Sequence, residues 1–266
     1  MTGTGTQNDP YIVDNWADYR NAVSQSSVAY IEFNDNSENK VIDFNEICPK
    51  GYSNTIAFSG NTKFNGWVFR NFYSVASYAL IINGSGITGL SLENFYWQVP
   101  NNASCFIAGG SDAIAKNCNF SGKIAVTGSE TRFSNMKLSC CALNLSISYS
   151  GISFKTCYYD IENSDIILDV VSANSFYGSY NRIINSRISG KISASQVNID
   201  DSSGSGYNII NLESNQPLIY KGNGISVYNS DLAEKNSSST KLVGCTPEQL
   251  KNAEYLYSIG FPIGID

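Results

Sequence analysis

The chain has 266 residues, 42% of them hydrophobic, which is enough for one sizeable core or two small ones and excludes global disorder. Seventeen Lys and Arg against 23 Asp and Glu leave a net charge of −6 and a sequence pI near 4.7, which argues against a nucleic-acid-binding surface. No histidine is present, so a histidine-based triad, a zinc site with a His ligand and an unassisted general base near neutrality are all excluded.

The opening MTGTGTQNDP has neither the basic nor the apolar region of a signal peptide, and no run reaches the roughly 18 apolar residues of a membrane span. The expectation is a chain with no membrane partner and no signal-peptide export. Seven cysteines at 48, 105, 118, 140, 141, 157 and 245 show no metal-ligand spacing and read as reduced, mostly buried thiols. Small polar residues dominate the rest: 38 Ser, 31 Asn and 22 Gly, with charged residues at only 15%. Such a chain is rich in turns and poor in exposed helix.

In chain order, the first element is a short helix in NWADYRNAV, where Asn15 can cap and Trp16, Tyr19 and Val23 recur on one face. The acidic run Asp35, Glu38, Asp43 and Glu46 follows. It offers oxygens of the kind calcium binds, but a solvated loop is the stronger reading, and no metal or other cofactor is expected. Asn45 in VIDFNEI marks a transitional coil out of the N-terminal cap.

From there an Asn recurs in the form apolar-x-Asn-x-x-apolar, at Asn71, Asn94, Asn117, Asn135, Asn163, Asn185, Asn211 and Asn229, with a mean spacing of about 23 residues. Two before the Asn stand Phe69, Leu92, Ala115, Phe133, Ile161, Ile183, Ile209 and Val227, all apolar. Three after it stand Ser74, Trp97, Phe120, Leu138, Ile166, Ile188, Ser214 and Leu232, six of eight apolar. Positions five apart cannot share one face of a continuous strand, so the chain must bend at the Asn, a residue that tolerates the left-handed conformation.

A stack of such bent coils is a parallel β-helix. The predicted architecture is all-β, a right-handed single-stranded parallel β-helix of about eight to nine coils with a short helical cap at each end. Residues 1–40 form the N-terminal cap, 41–240 the β-helix and 241–266 the C-terminal capping helix and tail. Outward positions pair opposite charges on neighbouring coils, as in Arg70 beside Glu93, Asp160 beside Arg182, and the series Lys137, Asp165, Arg187, Glu213. At the C-terminal end, Thr246-Pro-Glu-Gln249 reads as a capping box. Leu250, Ala253 and Tyr257 make its apolar stripe and Gly260 its end.

This periodic pattern resembles the right-handed parallel β-helix superfamily, which includes pectate lyases, polygalacturonases and bacteriophage tailspikes. The opening GTGTQNDPYIVDNWADYRNAV, the coil GWVFRNFY and the ending PEQLKNAEYLYSIGFPIGID are also similar to β-helical proteins of phages of gut Firmicutes. The resemblance implies a virion component, a capsid decoration or tail appendage assembled in the bacterial cytoplasm. Other virion proteins, further copies of itself in a homotrimer and host-surface polysaccharide are its implied partners.

Of the hydrolase signatures in the superfamily only an isolated Asp200-Asp201 survives, and it reads as part of a bulging loop with the SSGSG that follows. The favoured reading is therefore non-catalytic, with a polysaccharide-degrading tailspike, a lyase or glycoside hydrolase, as the alternative. Asp160 and Glu162, two apart on one strand, are the carboxylates whose spacing suits a glycosidase pair. Tyr73 and Tyr96, one above the other, and the adjacent Tyr158-Tyr159 are the aromatics expected outside, to meet sugar rings or a partner subunit. Trp67 and Trp97 fall on inward positions.

Overall fold

The computed structural model describes residues 1–26, 29–47, 55–99, 104–110, 113–126, 130–149, 153–157, 160–172, 175–180, 182–184, 186–193, 196–201, 207–214, 218–222, 225–229, 234–236 and 241–260. Short strands within these residues build three parallel sheets of 8, 11 and 9 strands. Each coil visits the sheets in turn: Ile114–Lys116 lies in the first, Asn119–Val126 in the second and Glu130–Ser134 in the third, and Lys137–Ser139 then returns to the first beside Ile114–Lys116. This is the expected parallel β-helix. The first sheet begins with Tyr11–Val13 and Tyr30–Phe33, so two of its strands come from the segment assigned to the N-terminal cap.

The corner between the first and second sheets fixes the register. Gly66, Gly89, Asn117, Cys140 and Asn163 occupy it, all with positive φ between 48° and 77°. Asn tolerates this region because its short amide bonds locally, and Gly because it lacks a Cβ. Three residues later in each coil comes the inward column Phe69, Leu92, Phe120, Leu143 and Ile166, continued by Ile188 and Ile210, all buried.

Several asparagines read from the sequence as one series therefore separate. Asn117 and Asn163 are at the corner as expected, but the coil between them turns at Cys140, not at Asn135. Asn135 lies between the third and first sheets, where its Oδ1 accepts the Gly109 N–H at 2.9 Å. Asn71 and Asn94 mark a second feature, a left-handed residue that interrupts the strands of the second sheet. Past Asn94 the inward alternation restarts at Phe95, Trp97 and Val99, as a β-bulge requires. The bulge ends with the next coil, where Gly122 stands opposite Phe95 and a Cβ there would lie 2.5 Å from the ring. Asn211 sits within Tyr207–Ser214 opposite Ser189, and Asn229 ends Ile225–Asn229 opposite Cys245, so neither is a corner. Asn185 lies outside the described residues. Asparagine is too common in this chain to mark one corner alone, and Cys is an uncommon left-handed residue.

The apolar column two before each Asn was correctly placed inside for Phe69, Leu92, Ala115, Phe133 and Ile161, but these residues come from all three sheets. The core changes character along the axis. At the N-terminal end Phe33, Phe44, Phe58 and Phe69 pack against Trp16 and Tyr19, with Phe64 and Trp67 against Phe33, whereas further on Leu143, Leu145, Ile147, Ile166, Leu168, Ile188 and Ile192 fill the coils. Each fully buried side chain of this size contributes about 1.5–3 kcal/mol.

The helix α1 (Trp16–Gln25) closes the aromatic end; Asn15 caps it, its Oδ1 accepting the Asp18 N–H at 2.9 Å. Trp16, Tyr19 and Ala22 are buried, with Val23 packed against the core from a half-buried position. The Tyr19 hydroxyl reaches the first coil, accepting the Ser59 N–H at 3.1 Å. Burial pushes that phenol up to about 12. Asn45 belongs to the short helix α2 (Phe44–Ile47), which follows the first strand of the second sheet.

At the other end the capping box is reciprocal: Gln249 N–H donates to Thr246 Oγ1 at 3.2 Å and Thr246 N–H to Gln249 Oε1 at 2.8 Å. The helix it starts is only the 3₁₀ turn Gln249–Lys251, after which extended Asn252 caps a separate helix α3 (Ala253–Ser258). This break shifts the phase, so Leu250 and Leu256 are buried and Tyr257 is 73% exposed, contrary to the continuous stripe expected. Gly260 ends the helix with φ +84°.

Candidate functional site

The outer wall of the second sheet is the most extensive surface whose side chains are described. Its strands alternate inward and outward with period two, as in Ala142–Tyr149, so one residue in two faces solvent. Coil stacking places the outward residues in columns. The central column reads Tyr73, Tyr96, Lys123, Ser146, Asp169, Lys191, Glu213, each beside the next. Lys123, Ser146 and Asp169 stand six residues after the left-handed corner residues Asn117, Cys140 and Asn163, and from Lys123 onward the column recurs at intervals of 23, 23, 22 and 22 residues. Anchoring the repeat on the corner would have found this column.

On either side run Asn144, Ile167 and Ser189, and Ser148, Val171 and Ser193. Ile167 is 42% and Val171 65% exposed, flanking Asp169 on one strand. Asp169, Lys191 and Glu213 alternate in sign along the axis, as do Asp165 and Arg187 two columns away. The charge series expected from the sequence is corrected accordingly: Glu213 neighbours Lys191 rather than Arg187, and Lys137 lies in the first sheet opposite Ile114. The register Asp165 with Arg187 and Asp160 with Arg182 holds as read.

Tyr73 and Tyr96 lie in register outside the coil, as expected. Their rings are parallel within 5° at a centroid distance of 5.5 Å, so each covers one face of the other. The Tyr73 hydroxyl donates to Gln98 Oε1 at 3.2 Å. This geometry presents ring edges and hydroxyls to solvent and leaves only the outer faces of the pair for a sugar ring to stack on. Tyr158 and Tyr159 lie outside the described residues, as do the side chains of Asp160 and Glu162; the backbones of these two carboxylates occupy a strand of the first sheet. Asp200 and Asp201 end the strand Gln196–Asp201 of the third sheet, opposite Lys221 and Gly222, rather than lying in a bulging loop.

The N-terminal end holds a groove of about 430 Å³ beside α1, lined among others by Trp16, Arg20, Ile42, Asp43, Glu46 and Ile47. Its lining includes two carboxylates, Asp43 and Glu46, and one cationic side chain, Arg20. Asp43 is committed: its carboxylate accepts from Asn71 Nδ2 at 2.8 Å, Arg70 Nε at 2.7 Å and the Asn45 N–H at 3.0 Å. The Asn71 hydrogen bond, with Arg70 in support, holds Asp43 below the usual carboxylate range. A glycosidase acid needs the opposite shift, so Asp43 suits structural anchoring and not proton donation. The acidic run is thus divided, with Asp35 paired to Lys40 at 2.6 Å and Asp43 to Arg70. Among the described residues no three His, Cys, Asp or Glu side chains form a metal-binding group, and no helix is long and apolar enough to cross a membrane.

Comparison of the chain with protein-family models, with curated proteins and with solved structures found no match. The wall, the tyrosine pair and the groove are therefore interpreted on their own chemistry.

Proposed function

We propose that the protein is a non-catalytic structural component exposed on a bacteriophage particle, a capsid decoration or tail appendage whose side wall meets neighbouring virion proteins, further copies of the chain or host-surface glycan. The observation that carries the structural part is the second-sheet wall, which repeats hydroxyls, amides and charges of alternating sign rung after rung with Ile167 and Val171 exposed among them. A surface of this kind suits many weak lateral contacts better than one chemical step. The phage assignment rests on the resemblance of the two ends and of the coil GWVFRNFY to phage β-helical proteins.

Glycan adhesion would use the Tyr73 and Tyr96 edges with Gln98 and Lys123 close by, which offer hydrogen bonds to sugar hydroxyls. The rival reading, a polysaccharide-degrading tailspike, requires a carboxylate pair such as Asp160 and Glu162 to act. The two are separated by incubating the protein with purified surface polysaccharide of the host and following reducing ends, unsaturated products and retained protein. The structural reading expects retention without cleavage, weakened by Tyr96→Ala. Cleavage lost in Glu162→Gln would replace it with the depolymerase.

A further inference from the structure

The residue after each left-handed corner points into the coil, and along the second half of the molecule these residues form a polar column. Cys141 N–H donates to Ser164 Oγ at 3.1 Å, Ser164 N–H to Ser186 Oγ at 3.2 Å and Ser186 N–H to Asn208 Oδ1 at 3.2 Å. Cys118 begins this column one coil before Cys141. The backbones on both sides of the two cysteines are hydrogen-bonded across the coils: Asn117 N–H donates to Ser139 O at 3.0 Å, and Ala142 N–H to Cys118 O at 2.9 Å. Asn119 and Ala142 are direct partners, so Cys118 and Cys141 stand opposite each other.

Neighbouring strands lie about 4.8 Å apart, inside the range of roughly 4.4–6.8 Å that disulfide-linked Cα atoms span. Both cysteines are buried; the Cys118 thiol donates to Lys116 O at 3.3 Å and the Cys141 thiol reaches across the coils to Ala115 O at 3.1 Å. The interaction of the two thiols raises Cys118 and lowers Cys141, which therefore ionises first. The third thiol of the cluster, Cys140, is exposed at the left-handed corner itself.

We propose that Cys118 and Cys141 are a modification site, oxidised by a low-molecular-weight disulfide to a covalent bond between two consecutive coils. The Cys141 thiolate attacks one sulfur of the small disulfide and expels its other half as a thiolate, leaving a mixed disulfide on Cys141. Cys118 loses its proton to that thiolate and attacks the Cys141 sulfur, forming the S–S bond and expelling the second half. Two protein thiols are oxidised, one small disulfide is reduced to two thiols, and the two protons pass to them. The corner has to open for the oxidant to reach Cys141, whereas Cys140 meets it directly and acquires a mixed disulfide.

The test uses the reduced full chain incubated with oxidised glutathione, alkylated first in the native state, then unfolded and alkylated with an isotopically heavy reagent, and mapped by mass spectrometry. The expected result is a linked Cys118–Cys141 peptide about tenfold above the untreated control, retained in Cys140→Ser and removed by dithiothreitol. Recovery of Cys118 and Cys141 as heavy-alkylated thiols, with glutathione on Cys140 alone, would overturn the proposal. So would pairing of either with another cysteine.

Discussion

Single residues set the register of this molecule, and two of them give direct tests. Cys140 holds φ +53° where its neighbours along the axis are Asn117 and Asn163, and a side chain that bonds its own backbone favours that region. Cys140→Asn should therefore raise stability by about 0.5–1 kcal/mol, read as a higher urea midpoint at unchanged slope. Asp43 anchors a bonded series in which its Oδ1 accepts from Asn71 Nδ2 at 2.8 Å and the Asn71 Oδ1 accepts from Asn94 Nδ2 at 2.7 Å. Because its folded pKa lies below the unfolded value of about 3.9, the stabilisation is complete above that value and is lost as pH falls through the folded one. Thermal melts between pH 5 and 2, a range chosen about that value, should show this loss in the wild type and a flatter profile in Asp43→Asn, which starts from a lower neutral-pH stability. The sequence carried the 23-residue period and the need for a left-handed bend. It hid which residue bends, because Asn is abundant and because Cys140 and Gly89 serve the same corner without an amide.

The elements at the two ends were legible to different degrees for one physical reason, helix phase. In α1 a single uninterrupted helix keeps Trp16 and Tyr19 on one face, so the spacing read from the sequence translates directly into burial. At the C-terminal end Asn252 takes an extended conformation and restarts the helix, and the apolar stripe counted across it fails at Tyr257. Removing the Tyr19 hydroxyl tests how α1 is held. Tyr19→Phe leaves the Ser59 N–H without its acceptor inside the molecule and should cost about 1–3 kcal/mol in urea unfolding. Thr246→Ala breaks one arm of the capping box and should cost about 1 kcal/mol, seen as faster amide exchange confined to the last helices. The outward column from Lys123 to Glu213 was missed at this scale, since counting from Asn135 instead of Cys140 is an error of five residues that selects Lys137 of the first sheet, and counting from Asn211 sets Glu213 beside Arg187 instead of Lys191.

Across the whole molecule, each coil buries its inward side chains against one another, as Phe95 and Trp97 against Phe106, and against the adjacent coils, so stability is a sum of coil and neighbour contacts and damage spreads along the axis. Leu143 is 1% exposed in the middle of the inward column, and Leu143→Ala should cost about 2–5 kcal/mol. The same stacking makes the outer wall regular, and the proposed contacts with other proteins or glycan rest on that regularity. The fold and the wall follow from the chain's own residues, whereas the proposed place on a phage particle rests on the resemblance of the chain's two ends and of the coil GWVFRNFY. The decisive measurement is quantitative mass spectrometry of density-purified particles from the source culture, set against the soluble fraction. A virion component should be enriched in particles at a fixed ratio to the major capsid protein, with the copy number distinguishing a capsid decoration from a tail appendage. A chain found only in the soluble fraction would rule that role out.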